Sequence, residues 1–421
     1  MATVNDRFTH RNDAMYCEDV AVRDIADAVG TPVYVYSLAQ LREAYQRFDQ
    51  AFAASRHLVC FSVKANSNLG VLRAFVNEGS GFDIVSGGEL FRVLKAGADP
   101  RKVVFSGVGK TRDEMEYALR AGILMFNVES EQEMEALNEV AGGMGVVAPM
   151  SFRINPDVDP QTHPYISTGM KKSKFGIGID PAAEAYRRAI SLPHVEVVGV
   201  DCHIGSQLTS TSPFADAAER VRAFVEVLRR EGANIRYVDL GGGLGIRYDD
   251  EEPPDPEDYA KALMEGVRGL DVTLVLEPGR SMVGNAGILV TRVLYLKRTE
   301  AKNFVVVDGA MNDLVRPSLY GAFQGLRPVD RREAEPMTAD VVGPICESGD
   351  FLARDRDIQT PAPGDLMAVM SAGAYGFTMA SNYNTRPRAA EVLVDGKEFA
   401  VVRERETLEG LLAGEKIPAN L

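Results

Sequence analysis

The sequence predicts an α/β chain built as a (β/α)8 barrel with a second, smaller β domain after it, the latter completed in part by the amino-terminal segment. Three observations carry this. Eight short apolar runs, at 58–63, 82–85, 103–106, 123–128, 150–154, 197–203, 235–240 and 272–277, recur along the chain. Segments with helical spacing separate them, as in Leu69, Val71, Leu72, Phe75 and Val76 ahead of Gly79, or Met115, Tyr117, Ala118 and Leu119 ahead of Gly122. Alternating strand and helix gives parallel strands joined by right-handed crossovers, and eight such units close a barrel; a doubly wound open sheet ranks second. Beyond Gly287 the long helices give way to β-rich segments at 288–296, 304–308, 339–343, 365–370, 390–394 and 399–402, which predict an antiparallel β domain.

Residues 1–30 are polar with one amphipathic piece at 22–29, stopped by Gly30. The β-rich stretch from Thr31 to Tyr36 runs into a charged helix over about 38–54, so the expected domains are 31–280 for the barrel and 1–30 with 281–421 for the β domain. The stretch 155–178, with Lys171, Lys172 and Lys174, is long for a loop and reads as a lid or an active-site flank. The acidic run at 249–254 reads as a solvated surface loop.

At 421 residues the chain is comfortable as two domains. A net charge of -14 and the lack of a basic stripe argue against a nucleic-acid partner and leave small-molecule chemistry as the expectation. Cys17, Cys60, Cys202 and Cys346 lie far apart with no CxxC pair, which argues against a disulfide framework and a thiolate zinc site, and no metal is expected. The amino terminus lacks the apolar core of a signal peptide and no run is long enough to span a bilayer, so the cytoplasm is the expected location, with no membrane partner.

Barrels of this kind place their chemistry on the loops after the carboxyl ends of the strands. At those positions the sequence sets Lys64, Asp83, Ser106, Asn127, Arg153, His203, Gly241 to Gly243 and Glu277. A desolvated lysine loses its proton more readily and can attack a carbonyl, the requirement for a Schiff base with a substrate or with pyridoxal phosphate. Adjacent glycines let backbone N–H groups close around an anion, or simply form a tight turn. They are not the dinucleotide fingerprint, because Ile246 stands in place of its third glycine. Glu277, in Glu277-Pro278-Gly279-Arg280, can hydrogen-bond a protonated pyridine nitrogen and keep the ring an electron sink, or pair with a nearby arginine. His203 can stack on an aromatic cofactor, shuttle a proton, or sit satisfied in the core.

The ordered motifs Val63-Lys64-Ala65-Asn66, His203-Ile204-Gly205-Ser206-Gln207, Gly241-Gly242-Gly243, Glu277-Pro278-Gly279-Arg280, Cys346-Glu347-Ser348-Gly349-Asp350 and Gly373-Ala374-Tyr375-Gly376 resemble those of the diaminopimelate decarboxylase family. These are pyridoxal-phosphate decarboxylases of alanine-racemase fold, and the likeness runs over about 16–393. The resemblance implies pyridoxal 5'-phosphate carried on Lys64, with His203 against the ring and Glu277 on the pyridine nitrogen. It implies further cofactor contacts from Ser206, Gly242, Gly243, Gly279, Arg280 and Tyr375, mostly around the phosphate. It also implies a homodimer with shared active sites, in which Cys346 of the partner subunit reprotonates the carbanion.

For the substrate, the resemblance implies contacts from Arg280, Arg316, Tyr320, Glu347 and Tyr375. Arginine forks match a carboxylate and Glu347 can accept from an ammonium, and diaminopimelate carries both groups at its distal end. Ornithine carries only the ammonium. The implied reaction is decarboxylation of meso-2,6-diaminopimelate to L-lysine and carbon dioxide, the last step of lysine biosynthesis. The rival readings are a decarboxylase for ornithine, arginine or carboxynorspermidine, a catalytically inactive pyridoxal-phosphate-binding regulator, and, less favoured, a racemase.

Overall fold

The computed structural model describes residues 7–158 and 174–421. The chain divides into two compact units: 42–247 with 251–282, and 1–41 with 248–250 and 283–421. Among the described residues no helix is long and apolar enough to cross a membrane.

In the first unit eight parallel strands close on themselves. They are β1 (His57–Ser62), β2 (Gly81–Ile84), β3 (Val103–Phe105), β4 (Met125–Val128), β5 (Ala148–Asn155), β6 (Val195–Asp201), β7 (Tyr237–Asp239) and β8 (Thr273–Leu276), with β8 pairing back to β1. The expected barrel is therefore present. Its crossover helices start and stop where local chemistry requires. Thr111 caps Arg112–Ala121 through a reciprocal capping box with Glu114, and Gly122 ends that helix at φ 71°, a left-handed value that glycine adopts at little cost. Gly79 does the same for Leu69–Glu78 at φ 90°. Tyr186, fully buried on the helix Ile179–Ser191, accepts from the Phe152 N–H at 3.0 Å and donates toward the Gly199 carbonyl at 2.9 Å, so it pins its helix across β5 and β6.

Inside the barrel an apolar cluster of Cys60, Val104, Met125, Val198 and Val275 gives way to polar side chains toward the carboxyl ends of the strands. Asp83, Asn127, Ser151 and Asp239 have no solvent exposure. Buried polar groups persist only where partners satisfy them, so this concentration marks the site rather than the core. Of the expected lid at 155–178, residues 159–173, including Lys171 and Lys172, lie outside the described residues.

The second unit is a β domain. Its main sheet runs in the order Phe351–Gln359, Pro336–Val342, Asn303–Val307, Gly287–Arg298, Val33–Ser37, Ala390–Asp395 and Glu398–Arg403; Leu366–Val369 also pairs with Gly287–Arg298 and with Leu326–Pro328. Two features differ from the sequence reading. Val33–Ser37, grouped there with the barrel, is a central strand of this sheet, because its five residues are buried and need a neighbour on each edge. The sheet is also mixed: Val33–Ser37 runs parallel to Ala390–Asp395, and Asn303–Val307 parallel to Pro336–Val342. Parallel neighbours reflect strands contributed by remote segments, which no hairpin turn constrains.

A smaller meander, Phe8–Arg11, Ala14–Cys17 and Val20–Ala21, packs Phe8, Met15 and Cys17 into the same core as Val33, Val35, Ile288 and Val392. Glu18 ties it down, accepting from the Ser37 hydroxyl (2.6 Å), the Ala39 N–H (2.9 Å) and the Gly396 N–H (2.6 Å). Ile288, with no exposure, belongs to this core. Ile288→Ala is expected to cost about 2–5 kcal/mol through lost burial and an incompletely collapsed cavity, read as a lower denaturant midpoint of the β domain.

Candidate active site

Lys64 follows β1 in the one-turn helix Val63–Ala65, so the strand end aims it at the barrel mouth. Its Nζ lies 3.0 Å from Asp83 Oδ2, with the lysine side chain 39% exposed and Asp83 fully buried. The amine is thus reachable from the mouth and anchored from beneath. Ser62 Oγ is within 2.8 Å of the same carboxylate oxygen and 3.0 Å of the Glu277 carbonyl. Asp83 Oδ1 is buried without a hydrogen-bond partner among the described residues.

Glu277 lies one residue past β8, 6% exposed, with Oε1 at 3.3 Å from Ser106 Oγ and 3.4 Å from Asn127 Nδ2. Asn127 Nδ2 also lies 3.1 Å from Asp239 Oδ2, and the Gly241 N–H donates to Asp239 Oδ1 at 2.9 Å. Burial, then the charges of Asp239, Asp83 and Asp201, pushes the Glu277 carboxyl well up, against the opposing charge of Lys64. Burial likewise raises Asp239 to about 6, restrained by its bonds from Gly241 and Asn127, and raises Asp201 strongly. One carboxylate oxygen from each of Asp201, Asp239 and Glu277 lies within 4.8 Å of the other two. A cation would need these oxygens deprotonated, and burial holds them toward the neutral acid, which is the state for keeping a proton.

His203 follows β6 and accepts the Gly242 N–H on Nδ1 at 3.2 Å, which leaves Nε2 as the protonated nitrogen of a neutral ring. Burial, then Arg153 and Lys64, keeps its pKa well below the usual histidine value. Arg153 is itself held by Glu129 at 3.3 Å and by the His203 carbonyl at 3.3 Å, and lies over the Phe175 ring.

The glycines after β7 are required by space as well as by conformation. A Cβ on Gly242 would overlap the Glu277 carbonyl, and one on Gly243, at φ 103°, would stand 2.6 Å from the Gly205 carbonyl. The turn after β7 therefore lies directly against the turn after β8. Arg280 Nη2 reaches Ser206 Oγ at 3.1 Å, joining the loops after β6 and β8, and Gly279 packs on Ser62. Lys64, His203, Ser206, Gly242, Gly243, Glu277, Gly279 and Arg280 thus come together at one end of the barrel.

That donor set fits an aldehyde-bearing pyridine phosphate. It offers an amine, a proton-holding carboxyl, a flat neutral ring, and glycine turns with an arginine where backbone and side-chain donors can meet an anion. Asp201 and Asp239 were not singled out from sequence, and Asp83 was named only as a strand-end residue without a role. The available signal was their position at the ends of β2, β6 and β7.

The β domain carries the other named residues. Arg316 opens the short helix Arg316–Tyr320, buried with its guanidinium 4.3 Å from the Tyr248 ring centre. Ser318 Oγ donates to the Gly349 carbonyl at 2.6 Å, tying that helix to the loop holding Cys346 and Glu347. Both of those side chains are exposed. The loop is braced by buried Asp350, which accepts from the Met311 and Ile345 N–H groups at 2.7 and 2.8 Å, and by Asn384, which accepts from the Cys346 N–H at 2.8 Å. Tyr375 is held at φ 55°, an uncommon backbone conformation for an aromatic residue.

Residues 38–284 match the family model for the pyridoxal binding domain of pyridoxal-dependent decarboxylases. The chain is 60% identical to a diaminopimelate decarboxylase of Pseudomonas aeruginosa over 98% of its own length and 99% of the relative's, and 56% identical to one of Vibrio cholerae over 98% and 99%. Among solved structures, diaminopimelate decarboxylase from M. jannaschii in complex with L-lysine superposes with a TM-score of 0.95 at 38% identity, covering 100% of both chains. The Helicobacter pylori enzyme complexed with L-lysine gives a TM-score of 0.90 at 42% identity, covering 93% of this chain and 98% of that one.

Proposed function

The chain belongs to the diaminopimelate decarboxylase family of pyridoxal-dependent decarboxylases, and from that premise we propose how its residues convert meso-2,6-diaminopimelate to L-lysine and carbon dioxide. The observation that carries the reading is the convergence of Lys64, Asp83, His203 and Glu277 with the two glycine turns at one barrel mouth. Bound there, pyridoxal phosphate supplies an electron-poor ring that takes up the electron pair left as the carboxylate departs.

Lys64 is the amine that holds the cofactor's aldehyde, and Asp83 beneath it orients the ammonium and accepts its hydrogen bond. Glu277 keeps a proton at the pyridine nitrogen, a role that burial and three neighbouring carboxyls favour. His203, neutral and fixed by the Gly242 N–H, offers a flat face to the ring. The turns at Gly242, Gly243, Gly279 and Arg280, with Ser206 and Tyr375, take the phosphate. Cys346 of the partner subunit in a homodimer delivers the proton to the reacting carbon, and its exposure in a single chain is compatible with that. Arg280, Arg316, Tyr320, Glu347 and Tyr375 meet the substrate's charged groups. The reaction is placed in the cytoplasm.

Purified protein loaded with pyridoxal phosphate is expected to release carbon dioxide and L-lysine from meso-diaminopimelate. Ornithine, which gives a distal arginine no partner, is expected to turn over at least about a hundredfold less efficiently, the order set by one unpaired buried charge. Equal release from ornithine, arginine or carboxynorspermidine would overturn the substrate assignment. No release under saturating cofactor would favour a binding protein.

A further inference from the structure

We propose that the β domain carries a second binding site, for a small carboxylate with an apolar body, in a cavity of about 290 Å³ lined by Arg327, Arg331, Val293, Leu326, Ile358 and Leu366. The inference is independent of the barrel chemistry: every residue of the cavity belongs to the β domain, and none is assigned to cofactor or substrate above.

The cavity brings together two guanidiniums that lack an ion-pair partner among the described residues. Several arginines of the β domain have carboxylate partners, Arg23 with Asp330, Arg332 with Asp365, Arg388 with Glu406 and Arg403 with Glu391, and others are held by carbonyls or rings, Arg386 by the Asp308 carbonyl, Arg405 by the Pro32 carbonyl and Arg356 over Phe323. Among the described residues Arg327 and Arg331 make no side-chain hydrogen bond or ion pair. Three acids also line the cavity, but each is engaged. Asp330 is held by Arg23, Asp365 by Arg332 and the Ala362 N–H at 2.7 Å, and Asp357 by the Thr338 hydroxyl at 2.5 Å.

Arg327 is partly buried on the strand Leu326–Pro328, and its guanidinium is held below its usual pKa by that burial and then by the charge of Arg331. His10, bonded to the Pro328 carbonyl at 2.8 Å, has its pKa lowered by burial and then by the same two guanidiniums. Two guanidiniums that line one cavity without an ion-pair partner among the described residues can give charge-assisted hydrogen bonds to a planar, forked anion. The lining also includes aliphatic side chains: Val293 and Leu366 are buried core residues, and Leu326 and Ile358 are half-buried. A hydrated ion such as phosphate would waste that surface, whereas a carboxylate on a short hydrocarbon or aromatic body covers it.

The test uses the cofactor-loaded enzyme with 4-fluorobenzoate as probe, followed by fluorine NMR. Saturable binding of one probe per chain is expected. Arg331→Gln and Arg327→Gln are each expected to weaken it at least about tenfold, as loss of a charged hydrogen bond does, while kcat and KM for diaminopimelate stay within twofold. Arg331 is exposed, so its substitution decides the question even if the Arg327 variant fails to fold. Absence of saturable binding, undiminished binding in Arg331→Gln, or inorganic phosphate binding as tightly as the probe would each overturn the proposal.

Discussion

Lys64→Ala is expected to lower kcat/KM for decarboxylation by about 10⁴-fold, the upper end of what removal of a group moving protons at the reacting centre costs. It is also expected to abolish the borohydride-sensitive visible absorption of the cofactor-loaded protein. The expectation rests on there being no substitute. Asp83 can anchor an ammonium but cannot attack a carbonyl, and its Oδ2 is already shared between Lys64 and Ser62. The substitution leaves a buried carboxylate facing the mouth without its cation, so binding of free cofactor is expected to weaken as well. Turnover within tenfold of the parent would remove Lys64 from the mechanism.

Glu277→Gln is expected to lower kcat/KM by about 10²–10³-fold, because the amide keeps the size and the contacts to Ser106 and Asn127 but cannot keep a proton at the pyridine nitrogen. A second readout separates this from a packing defect. Glu277 and Asp239 both bind protons more tightly when folded, Asp239 to about 6. For cofactor-free protein the folded state therefore holds more protons than the unfolded chain between the ordinary carboxyl range near pH 4 and pH 6. Stability falls as pH rises through that window and beyond. The parent's unfolding midpoint is expected to drop between pH 5 and pH 8, and the drop to be smaller in Glu277→Gln. An identical pH dependence in the two proteins would show that Glu277 carries no such proton.

What could be read from the sequence followed from local chemistry. The apolar runs at 58–63 and 82–85 became β1 and β2, and Gly79 and Gly122 end helices as a residue tolerant of positive φ should. Pairing partners were less legible. Val33–Ser37 followed by a charged helix looks like one more β/α unit, and only the shape of the finished sheet decides that it lies between Gly287–Arg298 and Ala390–Asp395. Lys64, Glu277 and the triple glycine carried weight only together, since each alone has an ordinary structural use at a strand end. Asp201 and Asp239 were not picked out, since one acid at a strand terminus is ordinary and only barrel closure brings them together with Glu277. Cys346, Glu347 and Arg316 were reached through resemblance alone, because loops and a five-residue helix carry no readable periodicity.

The position of Val33–Ser37 also sets a timetable for synthesis. Its parallel neighbour Ala390–Asp395 leaves the ribosome about 350 residues later, which at ~5–20 residues per second means roughly 20–70 s of waiting. Through that interval the nascent amino terminus has an open edge on at least one side while the barrel between them can already assemble, so proteases and chaperones should find the first forty residues last to become protected.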